Sequence, residues 1–529
     1  MKTALISVSD KTGVVDFARK LFDLGYQIIS TGNTSKALEA AQVPRIEVSA
    51  WTNSDESRDG LVKTLHPKIY KSILLGENDP VLIKEGIDPI KLVVCNLYDF
   101  EDDKTIDKVD IGGPSMISAA FKGWHLHGGV IPVVNPNQYD AIIEALQTGG
   151  ISKELGDDLA AEAMSYVAYD RAVVAGTYQK KKFPKHMTIP LRDSGIKIRY
   201  GENPHQSGGA YLNPLEANTG GILDAKQLSG IELSYNNIID LDSALRLTRA
   251  IDGMSQGDPV CTIIKHNNAC GAAIGKTLND AYDKAFRADM TSAFGGIVSV
   301  NHEFDEQTAH EMVVSNKHFV ECVIAPSYSA AALQILETKG KVRVIQSAAA
   351  SNIQKLSVKS INGGMLVQDY NNTFSLDDPA AKIKMGPRTD RSPTAKEMAS
   401  MDFNWRVCCL TKSNTITFAM DRQLVGVGTG QQNRIDCVEL AIERALKMAK
   451  EGYLPKSGVL TMASDSFFPF DDCMIRFVEF VRELEGAGYK LTGKGVIYNG
   501  GGIRDSDSIK VANQNDIVMY HAGVRGFCH

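Results

Sequence analysis

The chain has 529 residues, 43% apolar and 23% charged, the proportions of an ordinary soluble protein and enough length for about three or four domains that need no metal or disulfide staple. With 57 Lys and Arg against 63 Asp and Glu the formal net charge is −6, which argues against a protein that lives on a nucleic-acid backbone, so any anionic ligand must be met by locally placed cations. No run approaches the ~18 apolar residues that span a bilayer, the first apolar run is too short for the ~7–15-residue core of a signal peptide, and nine scattered cysteines without Cys-x-x-Cys fit neither a disulfide framework nor a common zinc site. The expected setting is the cytosol, with reduced, mostly core thiols and no membrane.

Taken in chain order, Ala4–Val8 is predicted as a buried strand, Ser9–Gly13 as a polar turn, and Val14–Phe22 as a helix from the spacing of Val14, Val15, Ala18, Leu21 and Phe22. A strand over Tyr26–Ile29, a polar turn over Ser30–Ser35 and a helix through Ala41 complete a β-α-β-α pattern, which predicts a parallel sheet with helices on its faces. Leu92–Cys95 and Val130–Val134 read as further strands, and Asp110–Pro114 leads into a helix that carries Lys122. An Ala-rich helix over Leu159–Tyr178 runs into the basic stretch Lys180–Lys185, read as a solvated linker at a domain boundary. Beyond about Ile196, strands are expected at Val260–Ile264, Glu321–Ala325, Val342–Ile345, Gly458–Ala463 and Ile517–Tyr520, and helices at Leu278–Ala288, Ile435–Lys450 and Met474–Gly486. Asn414–Ala419 and Gln423–Val427 read as a hairpin around Asp421 and Arg422, and Lys265-His266-Asn267-Asn268 reads as a strand end before an Ala/Gly-rich helix start. No short repeat is visible, and the expected fold class is α/β throughout.

In open α/β sheets, ligands bind beyond the carboxyl ends of strands. Ser7–Thr12 and Ser30–Thr34 place hydroxyls, Gly32 and Lys11 beside helix N-termini, where backbone N–H groups and the helix dipole favour an anion. Either turn alone looks like an N-cap; two in one sheet point to a phosphate. The basic segment Lys63–Lys68 could close over it. Tyr98 follows a strand and so reaches the same edge; a lysine beside a tyrosine lowers its pKa, and a carboxylate such as Asp110 can orient an amide nucleophile. The plainer readings are an N-cap for Asp110 and a surface lysine for Lys122. In Lys265-His266, the histidine can act as general base and the lysine can stabilise developing charge or protonate a leaving amine. Gly426-Val427-Gly428-Thr429-Gly430-Gln431 approaches a dinucleotide fingerprint but lacks its closing glycine or alanine, and Arg434 is the better anion ligand. Phe467-Phe468-Pro469-Phe470 reads equally as core or as a wall for a flat heteroaromatic ligand.

Taken together, the words SVSDKTG (7–13), STGNT (30–34), VKTLHPKI (62–69), NLYDF (96–100), DIGGP (110–114), RYGENPHQ (199–206), KQLSGIELSYNN (226–237), KHNNACG (265–271), SAFGGIV (292–298), GTGQQNRID (428–436), SDSFFPF (464–470) and GVRGFCH (523–529) closely resemble the bifunctional purine-biosynthesis family of AICAR transformylase / IMP cyclohydrolase, in that family's order. The resemblance implies a methylglyoxal-synthase-like parallel-sheet cyclohydrolase domain over 1–195. It implies a transformylase domain over 196–529, built of two cytidine-deaminase-like α/β subdomains split near 370–395 and lacking the deaminase zinc signature. The implied chemistry is formyl transfer from 10-formyltetrahydrofolate to AICAR and dehydrative ring closure of formyl-AICAR to IMP, in a homodimer with the transformylase site at the interface, without catalytic metal and without nucleic acid.

For formyl transfer the resemblance makes His266 the base, gives Lys265 the intermediate and the leaving folate nitrogen, and has Asn414 orient the carboxamide. Arg199, Tyr200, Phe294, Gly295 and Glu321 match positions around the nucleotide, as do Arg434, Arg525 and Phe527; Phe467, Pro469 and Asp472 match the folate side. For ring closure it implies Lys63, Tyr98, Asp110 and Lys122 in catalysis, Ser9, Lys11, Ser30, Thr31, Gly32 and Thr64 at the phosphate, and Asn96 and Gly112 in substrate binding. Four positions depart from the pattern: Leu61 replaces an arginine, Asn33 a glycine, Asp99 a proline and, with little expected effect, Ala269 a proline. Loss of an arginine beside a phosphate weakens nucleotide binding, so the alternative is a transformylase whose N-terminal domain is weakened or only binds nucleotide.

Overall fold

The structure is a computed structural model that describes residues 2–55, 62–216, 220–347, 356–372, 374, 376 and 385–529; Leu61 and part of the stretch 370–395 lie outside the described residues. The chain forms two compact units, Met1–Arg192 with Leu212–Leu215, and Asp193–Tyr211 with Glu216–His529.

The first unit opens with β1 (Lys2–Val8), α1 (Val14–Asp23), β2 (Tyr26–Ser30), α2 (Gly32–Ala40), β3 (Ile46–Glu47) and α3 (Val48–Thr52). It continues through α4 (Pro67–Leu74), α5 (Pro80–Glu85), β4 (Ile90–Asn96), α6 (Gly112–His127), β5 (Ile131–Val133), α7 (Tyr139–Thr148) and α8 (Lys153–Tyr178). The strands are all parallel, in the order β3-β2-β1-β4-β5. They are near-continuous apolar runs because both faces are covered. Alternate residues of β1 divide between two cores: Ala4, Ile6 and Val8 pack with Val14, Phe17 and Tyr139, and Leu5 packs with Ile69, Ile73 and Ile117. Each of the buried Val, Leu, Ile and Phe side chains contributes about 1.5–3 kcal/mol. Successive strands leave β1 on opposite sides, so a crevice opens beyond the carboxyl ends of β1 and β4.

The two-residue strands β6 (Arg192–Asp193) and β7 (Tyr211–Leu212) lie where the chain passes between the units. The second unit then runs β8 (Lys226–Ser229), α9 (Tyr235–Ser255), β9 (Val260–Lys265), β10 (Asn268–Ile274), α10 (Leu278–Ala288), α11 (Met290–Ala293), β11 (Gly296–Val300), α12 (Glu306–His310), β12 (Val320–Ala325), α13 (Ala330–Glu337) and β13 (Arg343–Gln346). After a hairpin of β14 (Leu356–Ile361) with β15 (Gly364–Asp369) and the edge strand β16 (Gly386–Pro387), the succession returns as α14 (Ala395–Cys409), β17 (Thr415–Met420), β18 (Gln423–Thr429), α15 (Arg434–Lys450), β19 (Ser457–Ser464), α16 (Asp472–Gly486), β20 (Lys490–Tyr498), α17 (Asp505–Gln514) and β21 (Val518–His521). One sheet holds both halves, in the order β16-β21-β20-β19-β17-β18-β10-β9-β11-β12-β13-β8. The halves are mirror-ordered, β10-β9-β11-β12-β13 and β18-β17-β19-β20-β21, and meet antiparallel at Ala273 and Gln423. The duplication is one of topology, which explains why no repeat is visible in the residues. Helices α9 and α14 share a core on one face, where Leu241, Leu247 and Ile251 meet Phe403 and Val407, and Arg406 donates to the Ala250 carbonyl at 2.6 Å.

One expected element is corrected. Asn268 begins a strand, not a helix, because His266 (φ 52°) and Asn267 (φ 60°) are left-handed and fold the chain into a two-residue hairpin. The small residues that suggested a helix start serve packing instead: a Cβ on Gly271 would lie 1.9 Å from the Ala285 carbonyl oxygen of α10. Gly428 does the same in β18, with the Cys437 carbonyl oxygen at 1.9 Å, so the glycine run 426–430 lets a helix approach a strand and is no dinucleotide loop.

The start of α14 yields a pH prediction. Glu397 closes a capping box with Thr394 and accepts both ends of the Arg391 fork at 2.8 Å. Burial works to raise its carboxyl, but Arg391 and Thr394 outweigh it and bring the group from 4.5 down to about 2. A depressed carboxylate contributes stability that is complete above its unfolded value and lost as pH falls toward the folded one. Glu397→Gln is therefore expected to flatten the acid limb of the stability profile between about pH 4.5 and 2, read as urea midpoints; an unchanged slope would remove this group from the acid response.

Candidate active site

In the first unit, four loops meet at the β1/β4 crevice. Asn96, the last residue of β4, accepts the Ser9 and Asp10 amides at 2.6 and 2.9 Å and donates to the Asp10 carbonyl at 3.0 Å, so β4 fixes the turn after β1. Asp10 accepts the Thr12 amide and hydroxyl, which hold its carboxyl below the usual range. Lys11 folds back on the Ser9 carbonyl at 3.1 Å, and the Thr31 and Ser7 hydroxyls meet at 3.0 Å. Gly32 opens α2 with φ 45°, and a Cβ there would lie 3.0 Å from Lys63 Nζ; a Cβ on Gly112, which opens α6, would lie 2.5 Å from Thr64 Oγ1. Lys63 and Thr64 thus bridge two helix N-termini, both of which favour an anion. Asp110 accepts the Gly113 amide at 2.8 Å. Burial pushes its carboxyl up, against the Gly113 and Tyr98 amides and the Arg171 charge. Tyr98 is 45% exposed and, with Ser9, Asn96, Tyr166 and Asp170, lines a cavity of about 540 Å³.

Two expected members stand apart. The Ser30 hydroxyl donates to the Ile6 carbonyl at 2.8 Å inside the sheet and is fully buried, so its proton is used there. Lys122 is exposed and lies ten residues beyond Gly112, about 15 Å along the axis of α6. Asn33 and Asp99 are exposed.

In the second unit, the β9–β10 turn carries Lys265 and His266. Asp240 of α9 accepts both turn amides, from His266 at 3.1 Å and Asn267 at 2.7 Å, and the Ser243 hydroxyl donates to the Asn267 side chain at 2.7 Å. Lys265 donates to the Phe294 carbonyl at 2.7 Å; the following Gly295 is left-handed, with its amide on the Phe319 carbonyl. Asn268 Oδ1 accepts from the Lys412 amide at 3.1 Å and the Thr429 hydroxyl at 3.3 Å, which ties this turn to the other half of the sheet. Because β10 and β18 are antiparallel, the turn lies where β17 begins and β18 and β19 end. There Arg434, the first residue of α15, donates to Asp465 at 2.5 Å and to Asn414 Oδ1 at 3.1 Å. Asn414 in turn donates to the Gln431 and Gln432 carbonyls. The C-terminal tail closes over this web: Ser413 bonds Asp465 and the Cys528 carbonyl, Gly526 donates to the Asp465 carbonyl, and Lys412 donates to the His529 carbonyl. The Arg525 guanidinium lies 4.3 Å over the Phe527 ring.

The aromatic segment satisfies both of its readings with different residues. Phe468 is fully buried and packs 5.2 Å from Tyr498, whereas Phe467 (39%) and Phe470 (54%) face solvent beside exposed Pro469. Asp472 opens α16 and accepts the Cys473 amide. The Glu321 carboxylate pairs with buried Arg343 at 2.6 Å. Arg199 stacks on its neighbour Tyr200, in a loop tied to α9 through Asn236 and Glu202. Sequence reasoning missed Asp240, Ser413 and Asp465. Asp465 had a signal in its place just past a predicted strand, whereas Asp240 had none beyond a helical position. Among the described residues no group of three or more His, Cys, Asp or Glu is arranged to hold a metal. All nine cysteines are unpaired, and eight of them are buried.

A family model described as AICARFT/IMPCHase bienzyme matches residues 126–444, and one described as MGS-like domain matches residues 13–113. Among curated relatives, the bifunctional purine biosynthesis protein PurH of Rippkaea orientalis is 38% identical over 550 residues, that of Synechocystis sp. 40% over 547, and that of Caldicellulosiruptor saccharolyticus 38% over 548. In each case 100% of this chain and 100% of the relative are covered.

Proposed function

The chain belongs to the AICARFT/IMPCHase bienzyme family, and from that premise we propose how its two units divide the last two steps of IMP synthesis. It is a bifunctional enzyme, an AICAR formyltransferase and IMP cyclohydrolase. The second unit takes formyl transfer. The 5-amino nitrogen of AICAR attacks the formyl carbon of 10-formyltetrahydrofolate, His266 accepts the amine proton, and the carbon–nitrogen bond to folate breaks as that nitrogen is protonated. Lys265 stabilises the tetrahedral oxyanion and assists the leaving nitrogen, and Asn414, held by Arg434, orients the carboxamide. The observation that carries this assignment is the Asn268 cross-link, which fastens the Lys265–His266 turn to the Lys412–Asn414 segment. Arg199, Tyr200, Phe294, Gly295, Glu321, Arg525 and Phe527 complete the nucleotide side, and Phe467, Pro469 and Asp472 the folate side. Exposed His266 and Phe294 suit a site finished by a second copy of the chain in a cytosolic homodimer.

The first unit takes ring closure. The carboxamide nitrogen attacks the formyl carbon and water leaves, an intramolecular step in which positioning supplies much of the rate. Ser9, Lys11, Thr31, Gly32 and Thr64 hold the phosphate, and Lys63, beside Gly32, supplies electrostatic help to the closure. Asp110, with its raised carboxyl, handles the proton beside Tyr98; Lys122 contributes charge from farther along α6. Full-length enzyme given formyl-AICAR should form IMP, followed by absorbance, and Asp110→Asn should slow this about a hundredfold while formyl transfer from 10-formyltetrahydrofolate to AICAR continues. Formyl transfer without any IMP above the uncatalysed rate would establish the alternative, a transformylase whose first unit only binds nucleotide.

A further inference from the structure

Beyond β20 the chain runs Asn499-Gly500-Gly501-Gly502-Ile503-Arg504 into α17, and a line of polar side chains lies beneath that loop. Arg388 Nε donates to His521 Nδ1 at 2.7 Å. A guanidinium only donates, so Nδ1 is an acceptor and the neutral ring carries its proton on Nε2. Nε2 faces the hydroxyl of fully buried Tyr498 at 2.8 Å and Asp505 Oδ2 at 3.6 Å. Burial and the Arg388 charge hold His521 down, to about 4, so the ring stays neutral. Asp505 Oδ2 accepts the Gly501 amide at 2.9 Å, and the line ends on loop backbone.

The loop fits this line closely. Gly500 and Gly501 are left-handed, at φ 73° and 89°. A Cβ on Gly500 would lie 2.3 Å from His521 Nδ1, and one on Gly502 would lie 2.6 Å from Asp505 Oδ1, 3.1 Å from the Phe468 carbonyl oxygen and 3.3 Å from the Phe467 ring. The side away from this polar line presents apolar groups to solvent: Phe467, Phe470 and a wholly exposed Ile503. Contiguous exposed apolar groups of this kind mark a surface built to be covered.

We propose that Arg388, His521, Tyr498 and Asp505 are positioning residues that hold loop 499–503 against the Phe467–Phe470 segment and thereby set affinity for the folate cosubstrate without entering formyl transfer. This rests on the reading of Phe467, Pro469 and Asp472 as the folate side. Arg388, His521 and Tyr498 are joined by hydrogen bonds and Asp505 accepts the Gly501 amide, and the loop they fix comes up against the Phe467 ring at Gly502. A loosened loop must be ordered at each binding event, a cost that raises KM and leaves the chemical step alone.

In the full-length enzyme, Tyr498→Phe and Asp505→Asn are expected to raise KM for 10-formyltetrahydrofolate about fivefold or more, with kcat and the KM for AICAR within about twofold of the parent. Phe467→Ala is measured beside them. If Phe467→Ala leaves the folate KM unchanged, the folate-side reading fails and the inference falls with it. If Phe467→Ala raises it while Tyr498→Phe and Asp505→Asn do not, or while they lower kcat with KM unchanged, the positioning role is overturned and the folate-side reading stands. An unchanged KM for AICAR in the same samples reports a folded second unit, the unit that carries all three substitutions. Tyr498→Phe, which deletes a single oxygen, decides the matter if Asp505→Asn is not soluble.

Discussion

Lys265→Ala and His266→Ala are each expected to lower formyl transfer about a thousandfold, the range a positioned acid or base contributes, while ring closure of supplied formyl-AICAR proceeds at the parent rate. The reason is local. The turn that carries both residues is held by its backbone, through the two amides on Asp240 and the Asn268 cross-link, so neither side chain is needed to build it. His266 is exposed, and Lys265 makes its hydrogen bond to the Phe294 carbonyl at the surface. Alanine at the left-handed His266 position costs on the order of 1 kcal/mol in backbone energy. His266→Asn, which tolerates that conformation, therefore separates loss of the base from loss of the turn. Turnover like the parent's in His266→Asn would remove His266 from the chemistry.

The second large effect is expected at Asp465. Asp465→Ala should destabilise the second unit by about 3–5 kcal/mol, the cost of stranding a buried charge, because Arg434 is nearly buried and Asp465 wholly so, with 2.5 Å between them. The same carboxylate holds Ser413, and its backbone carbonyl holds the tail at Gly526. Its loss should free Asn414 as well, so the fraction that remains folded should transfer formyl groups at least tenfold more slowly. Urea midpoints of the full-length protein measure the first effect and AICAR kinetics the second. A loss of less than about 1 kcal/mol would mean that the pair does not hold the web.

Much of this molecule was legible beforehand, and the parts that were not share a cause. The strands and helices expected in the first unit overlap those observed because each carries its own apolar period: Val14, Phe17, Ala18 and Leu21 bury one face of α1 wherever that helix packs; the short β3, α3, α4 and α5, and α7, were not expected, and α8 starts earlier, at Lys153. The β9–β10 turn was misread as a helix start because left-handed His266 and Asn267 carry no mark in composition, and because Gly271 answers to a carbonyl in α10 that is distant in sequence. Asp240 escaped notice for the same reason, since its partners are amides 26 and 27 positions away.

The sequence by itself determined the fold class, the family and the words that bear chemistry, since all three follow from residue type and order along the chain. Only the tertiary structure decided how those words assemble. It sends the Ser30 hydroxyl into the sheet, sets Lys122 about 15 Å along α6 from Gly112, and splits one aromatic run between core Phe468 and exposed Phe467 and Phe470. It also joins two halves of like topology through an antiparallel seam at Ala273 and Gln423. That seam brings the Lys265–His266 turn to the end of the sheet where Asn414, Arg434 and Asp465 lie. Hydrophobic period is a property of neighbours in sequence, whereas a site is made by hydrogen bonds between residues that only packing brings within 3 Å.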